Sequence, residues 1–476
     1  MSGEPFTAED DTALDPVDVG LDWFVGSPPG TGGRLRDRPE DFRVDERADA
    51  AAGDTGGYLL LRATLRDRET HRFARDLSNA LGISRQRVAW AGTKDRRAVT
   101  TQLVTVYDVD EDDVAAVALP GVELEVLGRR DHELGLGDLR GNAFAITIRD
   151  VERPERFDAI AEELEAFGGY PNCFGPQRFG SRRPITHAVG EAILRDDLAG
   201  AVDTYLAASF PAEPEATREA RDELAAALDG APATAADAVP EPRRDVYREA
   251  LDGFPEHLGF ERALLNALVD GGSPRDALDA LPDNLQRLFV NAAQSRLFNV
   301  ILRRRHDAGL PFDAAVEGDV VCFTEEADVP GGRLPDTDDT QRVTASNVDT
   351  VNRHVRRGRA LVTAPVPGSE TAFGDGEPDG ETAAPDAPDA HDAPDAIVRG
   401  VLDDAGLARE AFDRDDGYGA RGTRRPVLLT PDVAADVDAD EATIELAFFL
   451  PKGCYATAVT REYLRPAPPG GDAADR

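Results

Sequence analysis

Lysine is nearly missing: two copies stand in 476 residues, where Lys and Arg together number 53. Cysteine occurs three times, methionine once and tryptophan twice. Cys173, Cys322 and Cys454 are too few and too scattered for a disulfide framework or a CxxC metal site, so a reducing compartment is expected. No apolar run approaches the ~20 residues that cross a bilayer. Glu4, Glu9, Asp10 and Asp11 stand where a secretory signal would carry basic and then apolar residues, which points to the cytoplasm. The seven histidines show no HxxxH or HExxH spacing, so metal catalysis is not expected. Gly26 to Gly33 imitates a phosphate loop, but Gly33 stands where the pattern requires lysine.

What is present is acid. The formal charge is -38, which by itself argues against a polyanionic partner. Scarce lysine with abundant Asp, Ala and Gly also suits a protein working in molar salt, where the Debye length is ~3 Å and global charge says little about partners. Local charge remains informative. Residues 62–97 hold ten Lys/Arg against four Asp/Glu, and further basic knots lie at Arg178, Arg182 and Arg183, at 303–305, and at Arg353, Arg356, Arg357 and Arg359. These fit a polyanion-binding track, or solvated helix faces.

The length exceeds the roughly 250–300 residues of one core, so two domains are expected. Patterning predicts strands over 58–65, 99–107, 123–127, 143–149 and 443–463, a turn at Gly141-Asn142, and helices from Thr70 and Pro154. The middle reads as helical, with candidates at 187–208, 216–228, 259–269 and 284–306. Residues 369–396 carry nine acids, no Lys or Arg, and a repeated Pro-Asp-Ala, and read as a disordered acidic loop. The expected organisation is an acidic arm over 1–29, a core over 30–184, an insertion over 185–426, and the rest of the core with a tail over 427–476.

Two blocks carry chemistry. In Ala91-Gly92-Thr93-Lys94-Asp95-Arg96-Arg97, a rare lysine adjoins a carboxylate between predicted strands; Asp95 is a catalyst or a turn aspartate. Pro171-Asn172-Cys173-Phe174-Gly175-Pro176-Gln177-Arg178-Phe179-Gly180 suits a nucleobase, through amide, ring and guanidinium, or is a tight turn with core phenylalanines. Cys173, and Cys454 near the C-terminus, read as packing residues.

With Arg36 to Phe42, Leu136 to Phe144, Asn291 to Asn299, Glu317 to Asp319 and Phe449 to Glu462, the blocks resemble, in order, the TruD family of tRNA pseudouridine synthases. The resemblance implies an α+β fold: a pseudouridine synthase core with a mixed, mostly antiparallel curved sheet and flanking helices, carrying an inserted α/β TRUD domain. It implies Asp95 as the catalytic aspartate, with Phe42, Asn172, Phe174 and Tyr455 at substrate-contact positions and Arg36, Lys94 and Arg96 beside the substrate. Tyr455 stands where relatives can carry phenylalanine. The implied substrate is tRNA, at uridine 13 of the D-arm, bound by a monomer without cofactor or metal. A non-catalytic tRNA-binding or chaperone protein on the same scaffold is the alternative; an RNA-cleaving enzyme would call for metal ligands.

Overall fold

The β-branched run at 99–107 forms the strand Val99–Tyr107, near the middle of an eight-stranded sheet. The computed structural model describes residues 14–27, 29–48, 50–94, 96–180, 182–232, 238–326, 333–371 and 393–465. Beside Val99–Tyr107 lies Phe42–Ala48, parallel to it with Arg43 opposite Val99; the other pairs of this sheet are antiparallel. Beyond Phe42–Ala48 come Leu139–Ile148, Thr443–Pro451 and the edge strand Ala434–Asp438. On the other flank lie Tyr58–Arg66 and Val122–Arg130, while Val88–Trp90 also pairs with Val99–Tyr107. The period-two pattern of Thr443–Pro451 buries Ile444, Leu446, Phe448 and Leu450. Helices Arg156–Phe167 and Ala456–Leu464 cover that face, with Phe157 stacked on Tyr463 at 4.7 Å.

The chain leaves this unit through Tyr170–Pro171 and returns through Leu428–Leu429, and these two short strands pair with each other. Between them lie helices around the 25-residue Asp283–Asp307 and an antiparallel sheet ordered Thr423–Pro426, Ala360–Val366, Val320–Glu326, Arg333–Arg342. Phe289, Leu297, Phe298 and Leu302 bury several faces of that long helix, as its central place requires.

Several expectations need revision. Gly141 and Asn142 are not a turn but lie inside Leu139–Ile148, opposite Pro451 and Leu450. A Cβ on Gly141 would collide with the Leu450 carbonyl and the Phe449 ring, so glycine answers close strand approach. The helix expected over 187–208 is two, Thr186–Leu194 and Leu198–Ala207. Between them Asp196 takes φ +62° and Asp197 caps the second helix through the Gly200 N–H at 2.9 Å. Helices Glu241–Gly253, Pro274–Asp279, Val348–Arg356 and Pro394–Asp404 had no counterpart among those expectations. The last begins at the third Pro-Asp-Ala repeat, because proline suits a first helical turn; residues 372–392 of the acidic loop lie outside the described residues. The described part of the arm is no appendage: Trp23 stacks on His306 at 4.4 Å, and Leu14, Val19 and Leu21 are buried.

One buried group sets a pH response. His187 lies edge-on to Phe179 at 5.3 Å, and its burial, with Arg296 nearby, pushes its pKa down to about 4. An unfolded histidine titrates near 6.5, so the unfolded chain binds the extra proton and stability falls as pH drops from about 6.5 to about 4. Across that window the wild type is expected to lose about 3 kcal/mol more than His187→Leu in urea unfolding. Equal losses in the two proteins would show that His187 does not titrate this way.

Candidate functional site

Residues 171–180 have no aliphatic stripe, so they form no long element but a turn held by side chains from elsewhere. The Phe174 N–H donates to Asn299 Oδ1 at 2.8 Å, and Asn299 Nδ2 donates to the Phe174 carbonyl at 2.9 Å. Arg178 Nε donates to Ser295 Oγ at 3.0 Å. Blocks 171–180 and 291–299 are therefore two halves of one structure. Gly175 faces Thr457 so closely that a Cβ would lie 2.6 Å from Oγ1, which brings the C-terminal helix against the same turn.

Arg425 joins the pieces. It is buried, donates from Nε to the Asn172 carbonyl at 3.1 Å and from Nη1 to the Gly453 carbonyl at 2.5 Å, and gives Nη2 to Asn172 Oδ1. Its guanidinium carbon lies 4.3 Å from the centroid of Phe174 and 5.8 Å from that of Tyr455. Burial pulls its pKa below the usual guanidinium value. A planar cation with several donors can hold three acceptors and two rings at once, which lysine could not do. Sequence reading missed this residue. The available signal was Arg424-Arg425 immediately before the apolar Pro426-Val427-Leu428-Leu429, a doubly cationic step into a buried strand.

The expected contact residues divide into two groups. Phe174 lines a cleft of about 880 Å³, and Tyr455, 41% exposed, packs its ring 6.0 Å from that of Phe174. Asn172 is fully buried, with its amide donating to the Pro426 carbonyl at 2.9 Å and accepting from Arg425. The structure thus gives Asn172 internal partners. Phe42 is buried against Phe144, and the Arg36 guanidinium lies 4.0 Å from its centroid. Arg36 takes φ +57° to make this approach.

Asp95 lies outside the described residues, but its flanks are defined. Lys94 points inward, donating from Nζ to Glu46 Oε2 at 2.5 Å and from its N–H to Thr70 Oγ1 at 3.0 Å. The ammonium expected to face substrate is committed to a buried carboxylate. That pairing gives the rare lysine a local reason, because a compact ammonium suits a single carboxylate in a confined site. Arg96 extends into solvent, 3.6 Å from Asp67. The Ala91 carbonyl accepts the Gly137 N–H at 2.8 Å, and Lys452 Nζ reaches the Gly137 carbonyl at 3.4 Å. Ala91, on the N-terminal flank of Asp95, therefore lies against the Gly137 backbone that Lys452 of the cleft wall also reaches.

Seven cations line that cleft, Arg140, Arg178, Arg287, Arg421, Arg424, Arg425 and Lys452, against the carboxylates of Glu325, Asp336 and Asp338. In a chain of -38, this is a pronounced local reversal. The thiols nearby are buried, which pushes Cys173 up to about 11, also raises Cys454, and disfavours the thiolate form a nucleophile needs. Among the described residues no group of three His, Cys, Asp or Glu side chains converges to hold a metal, and no helix is long and apolar enough to cross a membrane.

A basic cleft with a ring pair at its edge defines a nucleic-acid-binding protein rather than one for a small apolar ligand. The family model of tRNA pseudouridine synthase D (TruD) matches residues 18–463. The "Probable tRNA pseudouridine synthase D" of Halobacterium salinarum is 46% identical over 461 residues, covering 94% of this chain and 97% of its own. That of Natronomonas pharaonis is 47% identical over 466 residues, with the same coverages. A crystal structure described as that of the "Putative tRNA pseudouridine synthase D (TruD)" from Methanosarcina mazei matches with a TM-score of 0.76 and 38% identity, over 97% of this chain and 99% of that one. The chain belongs to the tRNA pseudouridine synthase D family. Two of these relatives come from salt-loving organisms, in keeping with the acidic, lysine-poor composition.

Proposed function

We propose that the protein is a cytosolic, monomeric isomerase that converts uridine 13 in the D-arm of tRNA to pseudouridine, with Asp95 as its nucleophile. The reaction breaks the N1 glycosidic bond, turns the freed uracil, and joins C5 to the same ribose carbon. The C5 hydrogen leaves as a proton and N1 gains one, so the product is an isomer. An ionised carboxylate can drive this by attacking sugar or base, or by taking a ribose proton. The other requirement is a pocket that retains the loose base.

The observation that carries this reading is the Phe174–Tyr455 ring pair, held by Arg425 at the edge of a basic cleft. A uridine drawn from its stack loses a few kcal/mol of stacking and pairing. A ring in the pocket offsets part of that cost. Tyr455 is the cleaner probe, because its exposed side chain contributes little to the core. Tyr455→Ala is expected to lower kcat/KM for tRNA by about 10- to 100-fold, corresponding to ~1–3 kcal/mol for one stacked base. Tyr455→Phe keeps the ring and is expected to retain activity. Pseudouridine mapping of the tRNA tests both; normal turnover in Tyr455→Ala would remove the stacking role, and product at another position would remove the uridine 13 assignment.

A further inference from the structure

Many arginines in this protein have carboxylate partners. Within the insertion Arg342 pairs with Asp395, Arg304 with Asp404, and Arg414 with Asp196 and Asp416. The segment 353–359 gathers four arginines without one. Arg353, Arg356, Arg357 and Arg359 are all exposed, and none has a carboxylate within ion-pair distance among the described residues. The one side-chain bond of the group runs from Arg353 to Thr350 Oγ1 at 2.8 Å.

Helix energetics account for part of this only. Cations near a helix C-terminus interact favourably with its dipole, by about 0.3–1 kcal/mol each, which covers Arg353 and Arg356 at the end of Val348–Arg356. Arg357 and Arg359 lie beyond the helix. The carbonyls there already have donors: the Gly358 N–H bonds to Val355 O at 2.8 Å and the Arg359 N–H to His354 O at 2.9 Å. Four unneutralised cations on a strongly acidic chain mark a surface suited to an external anion.

The patch also connects to the cleft. Arg333 Nη1 donates to the Gly358 carbonyl at 2.5 Å. The strand that Arg333 opens supplies Leu334, Pro335 and Asp336 to the cleft wall. A polyanion with one unit in the cleft and its backbone crossing Arg333 would meet the four guanidinium groups next.

We propose that Arg353, Arg356, Arg357 and Arg359 form a second contact surface on the insertion, gripping the phosphates of a tRNA stem next to the nucleotide in the cleft. This rests on the reading of the cleft as a tRNA site. Each phosphate neutralised contributes about 0.7–0.9 to the slope of log affinity against log salt. The surface therefore holds and orients the tRNA without touching the reacting base.

The test is the quadruple variant R353Q/R356Q/R357Q/R359Q of the full chain, compared with wild type and with the quadruple lysine variant. Affinity for unmodified tRNA is read by fluorescence anisotropy over a series of potassium chloride concentrations, and turnover is read at saturating tRNA. The glutamine variant should bind tRNA about 10- to 100-fold more weakly, with a salt slope reduced by about three. Its turnover at saturation should be unchanged, and the lysine variant should recover most of the affinity. Unchanged affinity and slope in the glutamine variant would overturn the proposal, as would be found if the patch served a protein partner. Wild type that binds tRNA but makes no pseudouridine would sink the catalytic reading instead, while the affinity comparison still judged the patch.

Discussion

Replacing Asp95 by asparagine is expected to abolish pseudouridine formation, lowering turnover by at least about 10⁴-fold, as loss of a residue central to the chemistry commonly does. The substitution keeps the side chain's size but removes the charge and replaces one carboxylate oxygen, the nucleophile we propose, with an amide nitrogen. Binding should persist, because the cleft cations and the ring pair are untouched. The flanks are anchored independently, Lys94 on Glu46 and Thr70, and the Ala98 carbonyl on the Asp67 N–H at 3.0 Å. A convenient readout is tritium release from tRNA labelled at uracil C5, since that hydrogen must leave when the carbon–carbon bond forms. Wild-type release from the variant, with normal tRNA affinity, would exclude Asp95 from the chemistry.

The second large effect is expected from Arg425→Met. The side chain matches arginine only as far as Nε, and it cannot donate to Asn172 Oδ1, the Asn172 carbonyl or the Gly453 carbonyl. Buried acceptors left unpaired cost about 1–3 kcal/mol each, so a stability loss of order 3 kcal/mol is expected in chemical denaturation. A purely structural role would end there. A positioning role predicts more: the ring pair and the 451–455 turn shift together, and misplacement by about 1 Å can lower kcat by about 100-fold. At a temperature where the variant is folded, kcat should fall while tRNA affinity stays near wild type. Normal kcat in folded Arg425→Met would confine Arg425 to stability.

How far the sequence was legible follows from where its signals were local. β-Propensity found Val99–Tyr107, a strand buried along most of its length, and periodicity found Gly259–Val269, whose Leu264, Leu265 and Leu268 are buried. It did not find the break between Leu194 and Leu198, where both helices are largely apolar and only Asp196 and Asp197 mark the turn. Gly141 misled because glycine serves close strand approach as readily as turns. At the site, the ring pair could be expected from composition and resemblance, whereas Arg425 could not. Its meaning comes from Asn172 and Gly453, about 250 residues before it and about 30 after it. Likewise Lys94 was legible as unusual, but its partner Glu46 was not legible from a distance of 48 residues.

The arm over 14–27 has a consequence for how the protein is made. Arg461 donates to the Leu21 and Trp23 carbonyls, the Val25 N–H donates to Glu462 Oε2 at 2.9 Å, and the Thr31 N–H reaches the Tyr463 carbonyl at 2.8 Å. A ribosome adds about 5–20 residues per second, so these partners emerge tens of seconds apart. Until the final helix is released, the opening segment can dock only on Asp283–Asp307, where Trp23 stacks on His306, and in a chain not yet past residue 442 the strand Thr443–Pro451, neighbour of Leu139–Ile148, is also missing. A nascent chain halted before residue 440 would hold most of the arginine surface but no complete base pocket.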